Sequence, residues 1–226
     1  AVMAALLVGV FLLVTKQKLP IASIKKELLL LLLSGTAMGF NWILLFEAYK
    51  YTTVSVATLS YYFAPVIVMV VCPLMFKEKL TVKQITCFVM STVGLVLITG
   101  TAGGGDKDLL GIAFGVGAAI LYATVVLINK FIKGVTGIHR TFVQFLSAIV
   151  VLVPYVFLTN GFTIGGLTNI GWVSLFVVGF VHTGITYCMY FSAMKELPEQ
   201  KVAILSYIDP LIAVLVSVVW LNEALT

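Results

Sequence analysis

The chain has 226 residues, of which 61% are hydrophobic and 10% charged, and its net charge is +5. Soluble domains carry roughly 45 to 50% apolar and about 25% charged residues, so a water-soluble globular core is excluded. The surplus of positive charge does not point to nucleic acid, because the basic residues sit in short connections between apolar runs rather than on one polar face.

A helix needs about 20 apolar residues to cross roughly 30 Å of hydrocarbon. In chain order, such runs are predicted at approximately 1 to 15, 28 to 49, 54 to 76, 82 to 100, 109 to 129, 141 to 158, 170 to 194 and 202 to 221, the first being short. The connection after the first run carries Lys16, Lys18, Lys25 and Lys26. The third run contains Pro65 and the last contains Pro210, each of which removes a backbone donor and predicts a helix kink. Residues 101–108 (TAGGGDKD) are Gly-rich and charged and read as a linker. In the next run Gly111 and Gly115 have the four-residue spacing that lets membrane helices approach, and with Gly117 they do not complete a dinucleotide fingerprint. Cys72, Cys87 and Cys188 lie singly within apolar runs, so a metal site or redox pair is not expected and no cofactor is predicted.

Phe46 to Thr81 recurs without a gap as Phe191 to Thr226, 145 residues later, with ten identities in 36 positions. Phe46 matches Phe191, Ala48 Ala193, Lys50 Lys195, Tyr62 Tyr207, Pro65 Pro210 and Glu78 Glu223; Lys, Glu, Tyr and Pro are too rare in apolar helices for shared greasiness to explain this. Placing the four-lysine loop in the cytoplasm puts 12 of 14 basic residues inside, leaving Lys50 and Lys107 outside. The corresponding loop of the second copy, Thr159 to Asn169, has no Lys or Arg, so the two copies are predicted to be threaded in opposite directions.

The helix at 109–129 has no counterpart before Ala1, and the helix at 82–100 has none after Thr226. The expected fold is therefore all-α: a polytopic membrane helix bundle of two inverted five-helix repeats, a ten-span fold with the first and last helices missing and eight present. The first repeat is assigned to residues 1–100 and the second to 109–226. Thr81 and Gln84 fit a capping box opening the fourth run, which makes Thr226 the expected cap of a following helix.

The chain resembles the EamA family of the drug/metabolite transporter superfamily. The resemblance rests on Tyr62-Phe63-Ala64-Pro65 followed by Phe76-Lys77-Glu78-Lys79-Leu80-Thr81, and on Tyr207-Ile208-Asp209-Pro210 followed by Leu221-Asn222-Glu223-Ala224-Leu225-Thr226. It implies two inverted five-helix halves around a central cavity, and a role in moving amino acids or other small metabolites out of bacteria.

In inverted-repeat transporters the substrate lies near the midplane, beside helices interrupted by Pro or Gly. Pro65 and Pro210 leave the carbonyls of Tyr61 and Ser206 without helical partners, for a ligand, a water or a neighbouring side chain to take. Asp209 replaces Ala64 of the other copy and lies ~12 Å into the membrane, counted from Lys201 at ~1.5 Å per residue. A carboxylate at that depth costs roughly 2.5 to 3.5 kcal/mol, so it is a candidate proton-coupling group or else a structural hydrogen-bonding one. His182 replaces Ala37 and is the second candidate, weighed against simple packing. Asn41, Trp42, Tyr61, Tyr62, Tyr122, Tyr187, Ser206 and Tyr207 supply the mixed aromatic and polar lining of a substrate site, while Trp172 and Trp220 read as interfacial anchors.

These features predict a secondary transporter of a small metabolite, working by alternating access and directed towards efflux, in the plasma membrane of a bacterium. Its partners are the lipid bilayer, a small-molecule substrate and a coupled proton or other ion; nucleic acid is not expected, and oligomeric state is not specified by these residues. A membrane enzyme on a lipid-linked substrate would need more titratable groups than Asp209 and His182, so the chain is not expected to be an enzyme. A non-transporting scaffold or sensor is the remaining alternative.

Overall fold

The computed structural model describes residues 1–76, 106–135, 137–159 and 164–186, with isolated positions between 82 and 97, at 189, and between 212 and 220. Every regular element among the described residues is helical. The protein is a polytopic membrane helix bundle: three of these helices are long and apolar enough to span, beginning at Ile21, Asp108 and Gly137.

Helix α1 covers Val2–Val14. It ends where Lys16 adopts a left-handed φ of 52°, with the Gln17 amide donating to the Leu12 carbonyl (3.0 Å) and the Lys16 amide to that of Leu13 (3.1 Å). That pair of bonds satisfies the last orphan carbonyls as a Schellman motif does, with lysine where glycine is usual. Helix α2, Ile21–Tyr51, opens directly after Pro20, seven residues earlier than the apolar pattern predicts. Its 31 residues extend ~46 Å at ~1.5 Å each, more than the hydrocarbon needs, so the turns bearing Lys25, Lys26 and Glu27 project beyond the apolar stretch that starts at Leu28.

The third predicted run is two helices. Helix α3, Val54–Tyr61, is capped by Thr53, whose hydroxyl accepts from the Val56 amide at 3.3 Å. Helix α4, Ala64–Phe76, follows a break at Tyr62 and Phe63. Pro65 thus occupies the first turn of α4, where its missing amide costs nothing, rather than bending one continuous helix.

Helices α5, Asp106–Phe131, and α6, Gly137–Thr159, are joined by a short connection. A 3₁₀ turn at Ile164–Gly166 leads to α7, Asn169–Phe176, capped by Thr168, which continues without interruption as a π-helix over Val177–Ile185.

The chain divides into two compact units. One comprises Ala1–Gly39 and Ile128–Val202; the other comprises Phe40–Leu127 and Ala203–Thr226. In the first unit, Leu31, Ile132 and Val135 form a buried cluster supported by Ile24, Leu30, Ile128 and Val143. Two close helix contacts complete it. A Cβ at Gly35 would lie 2.5 Å from Ser147 Cβ, and one at Gly39 would lie 3.0 Å from Val151 Cβ, so α2 meets α6 backbone to backbone. Similarly, a Cβ at Gly179 would lie 3.0 Å from Met3 Cβ and one at Gly184 3.3 Å from Leu7 Cβ, which places the π-helix against α1.

The second unit is assembled from small residues. Ala48, Ala57, Ala118, Ala119 and Ala123 are all buried, and Gly115 of α5 abuts Ser60 and the Ala57 carbonyl of α3. Gly111 meets Thr52. The predicted close approach at these two glycines is therefore where α5 meets the region from the end of α2 through α3, consistent with membrane helices gaining contact by removing side chains rather than by excluding water.

Candidate functional site

The second unit brings together three of the residues singled out from sequence. Tyr61, the last residue of α3, has its ring 6.0 Å from that of Tyr62 and 5.6 Å from that of Tyr122 on α5. The break in the third span shapes this cluster: Tyr62 lies in the turn between α3 and α4, and the Tyr61 ring stands in contact with both it and the Tyr122 ring of α5. Tyr122 is 42% exposed, and Tyr61 and Tyr62 are partly buried. The result is an accessible aromatic surface with phenolic groups attached, suited to the flat or apolar part of a small molecule.

Asn41 belongs to the same unit but does a different job. It is 2% exposed, and its Nδ2 donates to the Ala118 carbonyl at 2.6 Å, tying α2 to α5. Trp42, next to it, is partly buried. Tyr187, Ser206, Tyr207, Asp209 and Pro210 lie outside the described residues. Among the described residues no three His, Cys, Asp or Glu side chains converge as a metal site would require.

His182 lies in the first unit, on the π-helix, and is exposed. That unit also holds polar groups that sequence reasoning missed. Gln144, 2% exposed on α6, donates from Nε2 to Ser34 Oγ (2.6 Å) and to Asn129 Oδ1 (2.7 Å), while Ser34 Oγ donates to the same Asn129 oxygen at 3.2 Å. One turn on, Ser147 Oγ donates to the Leu32 carbonyl (2.9 Å) and meets Thr36 Oγ1 at 3.3 Å. Each member has a partner, so this is a bridge among α2, α5 and α6 rather than a vacant binding site. The signal available in sequence was a single Asn, Gln or Ser inside an apolar run, and it did not show which of them would meet.

At the margin of this unit, the Glu27 carboxylate accepts the backbone amides of Lys133 (2.9 Å), Gly134 (2.9 and 3.1 Å) and Val135 (3.2 Å) in the connection between α5 and α6. These bonds, chiefly that from Gly134, hold its carboxyl below the ordinary carboxylate range against some opposing desolvation, and Arg140 adds to the effect. A fixed anion thereby closes the loop that joins two spanning helices.

The chain matches the profile of the EamA-like transporter family over residues 1–100 and 109–226. It belongs to the EamA-like transporter family. This EamA-like chain is 29% identical over 199 residues to the uncharacterized transporter YxxF of Bacillus subtilis, covering 87% of the chain and 63% of that protein. It is 31% identical over 180 residues to an uncharacterized transporter of Archaeoglobus fulgidus, covering 79% of the chain and 63% of the relative. A third relative, an uncharacterized transporter of Clostridium kluyveri, is 24% identical over 195 residues, with 84% and 63% covered. The EamA-like chain thus spans somewhat under two thirds of the length of these relatives. No solved structure matches it.

Proposed function

We propose that the protein of which this chain is part is a secondary transporter that moves a small metabolite of the amino-acid class out of the cell by alternating access. The observation that carries the reading is the reciprocal pair of helix contacts in the first unit. Gly35 and Gly39 of the first copy meet α6 of the second, and Gly179 and Gly184 of the second meet α1 of the first. Two copies that exchange equivalent contacts are what an approximate two-fold relation produces, and in inverted-repeat transporters such a relation supplies two equivalent states open to opposite sides. Membership of the EamA-like transporter family supports the same reading.

In this reading Tyr61, Tyr62 and Tyr122 form part of the substrate surface, with Trp42, Tyr187, Ser206 and Tyr207 as further lining. Asn41 fixes the helix that carries Tyr122, because its amide holds the carbonyl one turn before that tyrosine. Asp209 is the coupling group, with His182 as a second titratable site. A carboxylate within an apolar span is stable only where a cavity, water or partner receives it, and those are the conditions under which it can exchange a proton.

The test uses the full-length protein in liposomes with an imposed pH gradient and a panel of radiolabelled amino acids and related metabolites. Asp209→Asn should insert normally and lose gradient-driven uptake while keeping substrate exchange. Unchanged gradient-driven transport in that variant would reject the coupling role. Absence of transport of every metabolite by the wild-type protein would reject the reading itself.

A further inference from the structure

The two reciprocal contacts differ by one residue. On α2 the packing glycines are four apart, Gly35 and Gly39, and on the π-helix they are five apart, Gly179 and Gly184. Their partners keep the same spacing: Ser147 and Val151 on α6 are four apart, and so are Met3 and Leu7 on α1. Adding 144 to Gly35, Met3 and Leu7 gives Gly179, Ser147 and Val151, whereas Gly39 reaches Gly184 only by adding 145. The second copy therefore holds one extra residue between its packing glycines, within Phe180-Val181-His182-Thr183.

A helix absorbs one added residue by widening a turn from i→i+4 to i→i+5 bonding, which is a π-bulge, a form that recurs at functional sites. The side chains follow the same rule. Thr183 Oγ1 donates to the Val178 carbonyl (2.8 Å) and Thr186 Oγ1 to that of Val181 (3.0 Å), both five residues back. In the α-helices, Thr124 and Thr159 donate four residues back, to Ile120 and Tyr155. The widened turn changes which residues face the contact. Ala37, two before Gly39, is buried, whereas His182, two before Gly184, is exposed.

We propose that the extra residue is a positioning device: it keeps both glycines seated on α1 while turning His182 out of the contact, leaving an exposed imidazole on an apolar helix. The two copies are alike in how they pack and unlike in what they present, and the imidazole is a group that can bind a proton on one half only. The proton-binding role rests on the transport reading; the geometry and its test do not.

The experiment uses the protein in native membranes with Cys72, Cys87 and Cys188 replaced by serine. The pairs Met3→Cys with Gly179→Cys and Leu7→Cys with Gly184→Cys should both form disulfides on mild oxidation. Both should still form when Val181 is deleted, because the remaining four-residue spacing still matches α1. A single His182→Cys should react readily with a water-soluble maleimide, and several-fold more slowly once Val181 is deleted, when the position takes the buried setting of Ala37. Loss of the second disulfide on deletion overturns the insertion; equal or absent labelling in both backgrounds overturns the role given to His182.

If the deleted chain fails to accumulate, the converse variant decides. One alanine inserted after Ala37 should be absorbed as a π-bulge, preserving the disulfide between Gly39→Cys and Val151→Cys. Loss of that disulfide, or failure of this variant also to accumulate, overturns the proposal. None of these readouts needs a substrate, so failure to find transport leaves them standing.

Discussion

Glu27 shows how one side chain can settle a connection between helices. Its carboxylate meets three successive amides, an arrangement that favours the charged form and so lowers its pKa. Because the folded-state pKa is depressed, the contribution is complete at neutral pH and is lost as pH falls through the folded-state value. Glu27→Gln should therefore lower the unfolding temperature in detergent at pH 7, with the difference from wild type shrinking as the buffer is made acidic; a difference that grows in acid would contradict the cradle. Gln144 is the corresponding residue inside the membrane. Gln144→Leu removes the donor to both Ser34 and Asn129 and should cost about 1 kcal/mol, in line with buried polar contacts between membrane helices. In a double-mutant cycle with Asn129→Leu the two costs should be less than additive, since one bond is shared; strict additivity would mean that the bridge is not formed. Neither pairing is legible in sequence: Glu27 reads as the end of a charged loop and Gln144 as one polar residue in an apolar run, because the partners of Glu27 and the Ser34 partner of Gln144 lie 106 to 110 residues away along the chain, and Asn129 sits on a different helix from Gln144.

At the scale of elements, the positions of apolar runs anticipated α5 and α6 closely and α2 except for its polar first turns, since length and hydropathy alone select a spanning helix. The same signal could not separate α3 from α4. Both sides of the break at Tyr62 and Phe63 are apolar, and a turn made of the same apolar and aromatic residues as its flanks leaves no mark on composition. Glycine was legible as a packing device at Gly111 and Gly115 but not at Gly35, where the approach is closest to backbone. A Cβ there would meet both Ser147 Cβ and the Gln144 carbonyl oxygen, at 2.5 and 2.6 Å, neither of which is the far end of a flexible chain. Gly35→Ala should therefore destabilise the bundle by about 1 to 3 kcal/mol through forced separation of α2 and α6. Gly165→Ala, where the same methyl meets open space, should leave the melting temperature within error. Equal effects of the two substitutions would remove the case for close contact at Gly35.

For the whole molecule, the distribution of charge predicts which loops share a side of the membrane. The loop with Lys16, Lys18, Lys25 and Lys26 should be cytoplasmic, and the uncharged loop before α7 should face outwards. Single cysteines at Lys18→Cys and Thr168→Cys, in a chain without native cysteines, should label from opposite sides of intact cells with an impermeant reagent. Labelling of both from the same side would end the inverted arrangement and the transport reading with it.

The sequence by itself determined that this protein lives in a membrane, that the stretch from Phe46 to Thr81 recurs 145 residues later, and which way its loops are charged, because each follows from composition or from comparing the chain with itself. Only the tertiary structure decided that the recurring helices trade contacts, that Asn41 donates to a backbone carbonyl and Gln144 to a hydroxyl and a side-chain amide oxygen on other helices, and that His182 rides on a widened turn. The reason is that lipid rewards any sufficiently apolar helix, so hydropathy locates spans without saying which faces meet. A one-residue insertion is likewise silent in an apolar stretch until the packing on either side of it holds the register fixed.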